Sequence, residues 1–316
     1  MAELALIIGN GFDIDMGIPS KYSDFANSPE FHDLTRRMHD MFYEEERKDS
    51  LVLQIQQASY NSNWFDIEEE IYKYVVDHPC LEENMIRHVR AEFDALKKAL
   101  TAYLNRITSK FTAGEKKLST YLYDRLRQCP LTVTEIYFNY TNPQQYMKLP
   151  LRQEQFYGAQ HWFTYVHGSL RYNDIVLGCD LQEGEKVNRQ LSFMYKYNML
   201  NRANHVARNL LEAKEIIFFG HSINEMDFGY FKDFFKAASA TPEPIRHLTI
   251  ITYDEQSERN IKDNIRNQGI SVTELYNNLW TFDFIHTKNV YDGKKEDVEK
   301  WEGMMNRIME KDRHGI

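Results

Sequence analysis

Apolar residues in this chain follow two patterns, short continuous runs and stripes spaced three and four apart. The first run, Leu4-Ala5-Leu6-Ile7-Ile8, has no polar interruption, as expected of a strand covered on both faces. It stops at Gly9-Asn10-Gly11-Phe12-Asp13, and Gly17-Ile18-Pro19 follows. Further strands are expected at 132–138, 162–166, 174–177, 215–219, 247–252 and 281–285. Ile86, Val89, Phe93, Leu96, Leu100, Tyr103, Leu104 and Ile107 form the stripe of one long helix. Helices are also expected at 116–127, stopped by Pro130, and at 187–213, 227–238, 255–267 and 296–311.

Strands alternating with helix-length connections predict an α/β fold, a doubly wound, Rossmann-type parallel sheet. The alternation is broken once, because residues from about 22 to 128 read mainly as helix. The expected organisation is one α/β nucleotide-binding domain built from 1–21 and 131–316. Residues 22–130 are inserted in it as a helical lid or second lobe. No repeat and no low-complexity segment interrupts this picture.

Composition narrows the class of partner. The formal net charge is -9, and the basic pairs Lys116-Lys117 and Lys294-Lys295 are isolated, which argues against nucleic acid. Cys80, Cys129 and Cys179 are far apart and form no Cys-x-x-Cys, so no metal site is expected. Reduced thiols fit a cytoplasmic protein. The first apolar run lacks a basic leader, so no secretory signal is expected, and no stretch approaches the length of a membrane span.

In an open parallel sheet, ligands bind beyond the carboxyl ends of the strands. Here the expected strand ends carry Gly9-Asn10-Gly11-Phe12-Asp13, Phe138-Asn139-Tyr140-Thr141, Val166-His167-Gly168-Ser169 and Phe219-Gly220-His221-Ser222. Topology alone predicts that all of them meet at one edge. The first glycine of Gly9-x-Gly11 suits a tight turn and the second the approach of a phosphate. Each residue also has a plainer reading. Asn139 suits a turn and His221 suits packing. Asp227 suits a helix N-terminus capped by Asn224. Glu68, beside Glu69 and Glu70, suits a solvated helix face. The aromatic group Phe228, Tyr230, Phe231, Phe234 and Phe235 reads as a helix core face.

Gly9-x-Gly11 followed six residues later by Gly17-Ile18-Pro19 resembles the first signature of the sirtuins. Asn139, His167-Gly168 and Gly220-His221-Ser222 resemble later sirtuin motifs. The whole set more closely resembles the AbiH family of bacteriophage abortive-infection proteins. The matching pieces are Gly-Asn-Gly-Phe-Asp, Trp64-x-Asp66-x-Glu68, Phe-Asn-Tyr-Thr, His-Gly, and Gly-His-Ser with Asp227 five residues on. The chain departs from sirtuins in having no paired zinc cysteines, in Thr141 where an acid is expected, and in Ser20-Lys21-Tyr22, which supplies no arginine. These departures argue against protein deacylation.

The resemblance implies a phage-defence protein that binds NAD or a related nucleotide and hydrolyses its glycosidic bond. His167 and Asn139 are then the catalytic candidates, one as general base and one holding water or a ribose hydroxyl. Gly9, Asn10, Gly11, Asp13, Glu68, Gly220, His221, Ser222 and Asp227 are the candidates for binding the nucleotide. A non-catalytic nucleotide sensor is the alternative. A phage trigger of unknown identity is also expected, as is restraint of the activity at rest through the insertion or a homo-oligomer.

Overall fold

The computed structural model describes residues 3–43, 47–61, 65–111, 117–143, 161–180, 188–199 and 205–310. Trp64 lies outside these residues. The chain divides into two compact units. The first contains 1–17, 112–166 and 202–316, and the second contains 18–111 and 167–201.

The first unit is built on a six-stranded sheet. Its strands are β1 (Leu4–Ile8), β2 (Val133–Tyr137), β3 (His161–Tyr165), β4 (Glu215–Phe219), β5 (His247–Thr252) and β6 (Thr281–His286). All neighbours pair in parallel, in the order β3-β2-β1-β4-β5-β6. Every residue of β1, β2, β4 and β5 is buried, and all are apolar, aromatic or β-branched except Glu135, Glu215 and His247.

Helices cover both faces of this sheet. Ala5, Ile7, Phe218 and Ile250 pack with Phe228, Phe231, Phe234 and Phe235, and with Ile261 and Ile265 of the helix Glu255–Asn267. The aromatic group read as a core face is therefore core. On the opposite face, Phe12 of the helix Asn10–Met16 meets Phe219 edge-on at 5.0 Å. On that same face Arg307, from the helix Lys295–Met309, reaches Glu215 and Thr249. The strand order and the two covered faces are those of a doubly wound sheet.

The second unit is mainly helical. Its helices include Pro29–Met41, Leu51–Asn61, Ile67–Asp77 and the long Glu83–Ser109, which buries the stripe from Val89 to Ile107. Ser28 and Pro29 start one helix as cap and first residue, and Asp66 caps another by accepting from Glu68 N. The second unit is not one continuous block. It takes in 167–201, while the helix Leu118–Leu126 belongs to the first unit.

Three local expectations need correction, and two short helices were not expected. Residues 174–177 form no strand; Val176 N donates to His167 O at 2.8 Å, and an isolated bridge joins Cys179 to Tyr195. Residues 187–213 are not one helix. They hold the 3₁₀ turns Arg189–Met194 and Lys196–Asn198, and then the helix Val206–Glu212. The reason is local: Lys196 N donates to Cys179 O at 3.0 Å, so it is taken from the helical ladder, and Tyr195 is extended. The helix expected at 227–238 is two, Glu225–Phe228 and Lys232–Ala240. The short helices Val272–Asn278 and Thr287–Tyr291 have too few periodic positions to be seen in the pattern.

Candidate functional site

The parallel strands bring the carboxyl ends of β1, β2 and β4 to one edge of the first unit. At the junction of β1 and β4, where the strand order reverses, the glycines pack backbone against backbone. Gly11 N donates to Gly220 O at 2.8 Å, and Gly9 N to Phe219 O at 3.0 Å. A Cβ on Gly9 would lie 2.5 Å from Gly220 O, and one on Gly11 would lie 2.5 Å from Gly220 Cα. Gly220 itself has φ +65° and faces the Gly11 backbone. The glycines are required here, but for a close chain crossing. The amide of Gly11 is bonded within the protein.

Beside this crossing lies a buried polar group. Asn139 Nδ2 donates to Thr141 Oγ1 at 2.8 Å, and Thr141 Oγ1 donates in turn to Asp13 Oδ2. Asp13 is fully buried, Thr141 is 1% exposed and Asn139 6%. Asp13 Oδ1 and Asn139 Oδ1 have no hydrogen-bond partner. Loss of hydration pushes the Asp13 carboxyl from 3.8 up to about 7, against the lowering effect of its bonds to Thr141 and Asn139. Two buried acceptor oxygens therefore sit around one hydroxyl, a set that calls for donors from a ligand.

The third feature at this edge is His221. Ile223 N donates to His221 Nδ1 at 2.9 Å, so the neutral ring carries its proton on Nε2. That nitrogen lies 3.6 Å from Asp227 Oδ2. Phe138 and Phe231 meet the ring edge-on at 4.4 and 5.1 Å. Asn224 caps the Asp227 amide at 3.0 Å, as the sequence suggested. Asn10 and Ser222 are exposed, and the Ser222 carbonyl accepts from Asn264 Nδ2.

His167 follows β3 by two residues and opens the second segment of the second unit. There it shares a cluster with Glu68. Lys196 Nζ lies 2.8 Å from Glu68 Oε2 and 3.4 Å from His167 Nε2. Glu68 is buried, not solvated, and its Oε1 has no hydrogen-bond partner. Next to it, desolvation and the Glu68 charge push the Asp66 carboxyl up to about 6. Burial, with the charges of Asp180 and Glu68, pushes the Cys179 thiol up to about 12, which makes it a poor nucleophile.

The structure thus joins Gly9 and Gly11 to Gly220, Asp13 to Asn139, His221 to Asp227, and Glu68 to His167. Sequence reasoning missed Thr141 as the link in one cluster and Lys196 as the link in another. For Glu68 a signal existed: Glu68, Ile71 and Val75 are spaced three and four apart, and all are buried on their helix. Lys196 has only its flanking Tyr195 and Tyr197 to mark it. Among the described residues, no group of His, Cys, Asp and Glu is arranged to hold a metal ion, and no helix is long and apolar enough to cross a membrane.

The sequence profile of the family described as Bacteriophage abortive infection AbiH matches residues 5–245. No curated protein matches the chain. The profile match spans the glycine turn, both buried clusters and the His221–Asp227 pair.

Proposed function

This chain belongs to the bacteriophage abortive infection AbiH family, and on that premise we propose that it defends by hydrolysing NAD or a related nucleotide at the glycosidic bond. The sheet is read as a sirtuin-like nucleotide-binding domain. The observation that carries the reading is the pair of unpartnered buried oxygens, Asp13 Oδ1 and Asn139 Oδ1, at the carboxyl edge of a doubly wound sheet. A ribose offers adjacent hydroxyl donors, which is the chemistry this pair lacks.

Cleavage of the nicotinamide–ribose bond makes an oxocarbenium-like ribosyl centre and a neutral leaving group. The protein therefore needs no strong acid. It needs acceptors that hold the ribose hydroxyls, negative charge to stabilise the cationic centre, and a group that takes a proton from water. Asn139 and Asp13 suit the first two tasks. The third is the role that the resemblance implies for His167. Phosphates are left to donors other than Gly11 N, because that amide is bonded to Gly220 O.

The alternative is a nucleotide-binding sensor that does no chemistry. The two readings separate in one assay. Purified full-length protein is mixed with NAD, and free nicotinamide is followed while binding is measured in parallel. Nicotinamide release supports hydrolysis, binding without release supports the sensor, and neither one removes both.

A further inference from the structure

Two acceptor oxygens can select a ligand only if something fixes which way they point. Asp13 stands in the helix Asn10–Met16, just after β1, and Asn139 and Thr141 stand just after β2. These strands pair in parallel with Ile8 opposite Tyr137, so the two segments begin side by side within the first unit. An ionised carboxylate only accepts, a carboxamide has a donating and an accepting end of nearly the same shape, and a hydroxyl has one proton. With Asp13 ionised, Thr141 has one arrangement open to it. Its proton goes to Asp13 Oδ2, and its oxygen accepts from Asn139 Nδ2 at 2.8 Å. Asn139 also lowers the Asp13 carboxyl by hydrogen bonding, so the donating end of the amide faces the carboxylate as well. Oδ1 of each residue is left buried and without a hydrogen-bond partner. Thr141 is 1% exposed, so bulk water does not replace its hydroxyl.

We propose that Thr141 is a positioning residue that sets the sugar selectivity of this site: by holding Asn139 Nδ2 and Asp13 Oδ2 it commits Asn139 Oδ1 and Asp13 Oδ1 to accept the two neighbouring hydroxyls of one ribose. The ribose rests on the nucleotide reading above; the order of the hydrogen bonds does not. Two such oxygens offer nothing to a carbonyl or a phosphate oxygen. A sugar that lacks one hydroxyl leaves a buried acceptor unpaired, which is the strongest form of rejection a polar site has.

The test compares full-length wild type, Thr141→Val and Thr141→Ser. The probes are NAD and its analogues lacking the 2′- or the 3′-hydroxyl of the nicotinamide ribose. The wild type should bind each analogue about 10–100-fold more weakly than NAD, the range for one lost hydrogen bond to a charged acceptor. Thr141→Val, which keeps the shape and removes the hydroxyl, should reduce that ratio to within about threefold, and Thr141→Ser should retain most of it. A ratio unchanged in Thr141→Val overturns the proposal, and so does a wild type that binds NAD and both analogues equally. Carbon-13 NMR of the Asp13 carboxyl reads the same hydrogen bond without a ligand. Its titration midpoint should move up in Thr141→Val, which loses a bond that favours the anion, and stay near the wild-type value in Thr141→Ser. An unmoved midpoint in Thr141→Val overturns the proposal. If Thr141→Val does not fold, the wild type decides alone. Its Thr141 hydroxyl proton should exchange slowly with water, and exchange as fast as that of an exposed threonine overturns the proposal. If the wild type binds no nucleotide, the nucleotide reading fails and the ribose half of the proposal falls with it, while the carboxyl midpoint and the hydroxyl proton still decide whether Thr141 orders the three side chains.

Discussion

Asp13→Asn separates the stability of this fold from its chemistry. Asp13 is fully buried, and its carboxyl is carried from 3.8 to about 7 mainly by lost hydration. Below pH 4 the group is protonated in both the folded and the unfolded chain and has no effect on the balance. Between pH 4 and 7 the unfolded chain releases the proton while the folded chain holds it, so stability falls as pH rises. Above about pH 7 both states are ionised and the penalty is complete. At about 1.4 kcal/mol per pH unit it amounts to ~4 kcal/mol, an order-of-magnitude upper figure. Asn is neutral and nearly the same size, and its side-chain oxygen can still accept from Thr141. Denaturant unfolding of both proteins at pH 5 and pH 8 is the assay. The variant should gain on the wild type by a few kcal/mol at pH 8 relative to pH 5. If Asp13 binds ribose hydroxyls as an anion, nucleotide affinity of the wild type should also rise from pH 6 to 8, and the variant should lose that slope. Parallel stability curves for the two proteins across this window would refute the claim that a desolvated carboxyl sits at position 13.

Gly220→Ala should destabilise by at least ~2 kcal/mol, because a side chain at positive φ is strained and its Cβ would enter the Gly11 backbone; a thermal melt within a degree of wild type would contradict the chain crossing. His167→Ala and Asn139→Ala should each abolish phage protection and any nucleotide turnover. Asn139→Ala should cost about 1 kcal/mol in stability for its lost bond to Thr141; wild-type plating on either variant would make that residue structural. Metal analysis of purified, untagged protein should find no stoichiometric zinc, since Cys80 is exposed, Cys129 and Cys179 are buried, and the described residues offer no ligand cluster; one zinc per chain would contradict this.

The sequence by itself determined the strands, and through them the fold class. A strand buried on both faces is mostly apolar or β-branched, and that requirement is local, so β1, β2, β4 and β5 were readable from their sequence despite Glu135, Glu215 and His247. It also marked the strand ends where polar and glycine residues collect. Short elements were not readable, because the 3₁₀ turn Lys196–Asn198 and the helix Glu225–Phe228 hold too few residues for a period to form. Only the tertiary structure decided what the marked residues do. The bond from Thr141 to Asp13 and the bond from Lys196 to Glu68 each join residues 128 positions apart. No local pattern encodes such a pair. Each exists because burial removes water and leaves a charge or hydroxyl to be met by whatever side chain the fold brings beside it. For the same reason the sequence marks Gly9 for a tight turn and Gly11 for a close approach, and the fold brings the Gly220 backbone against both. A glycine announces that something must come close, and only the folded chain says what.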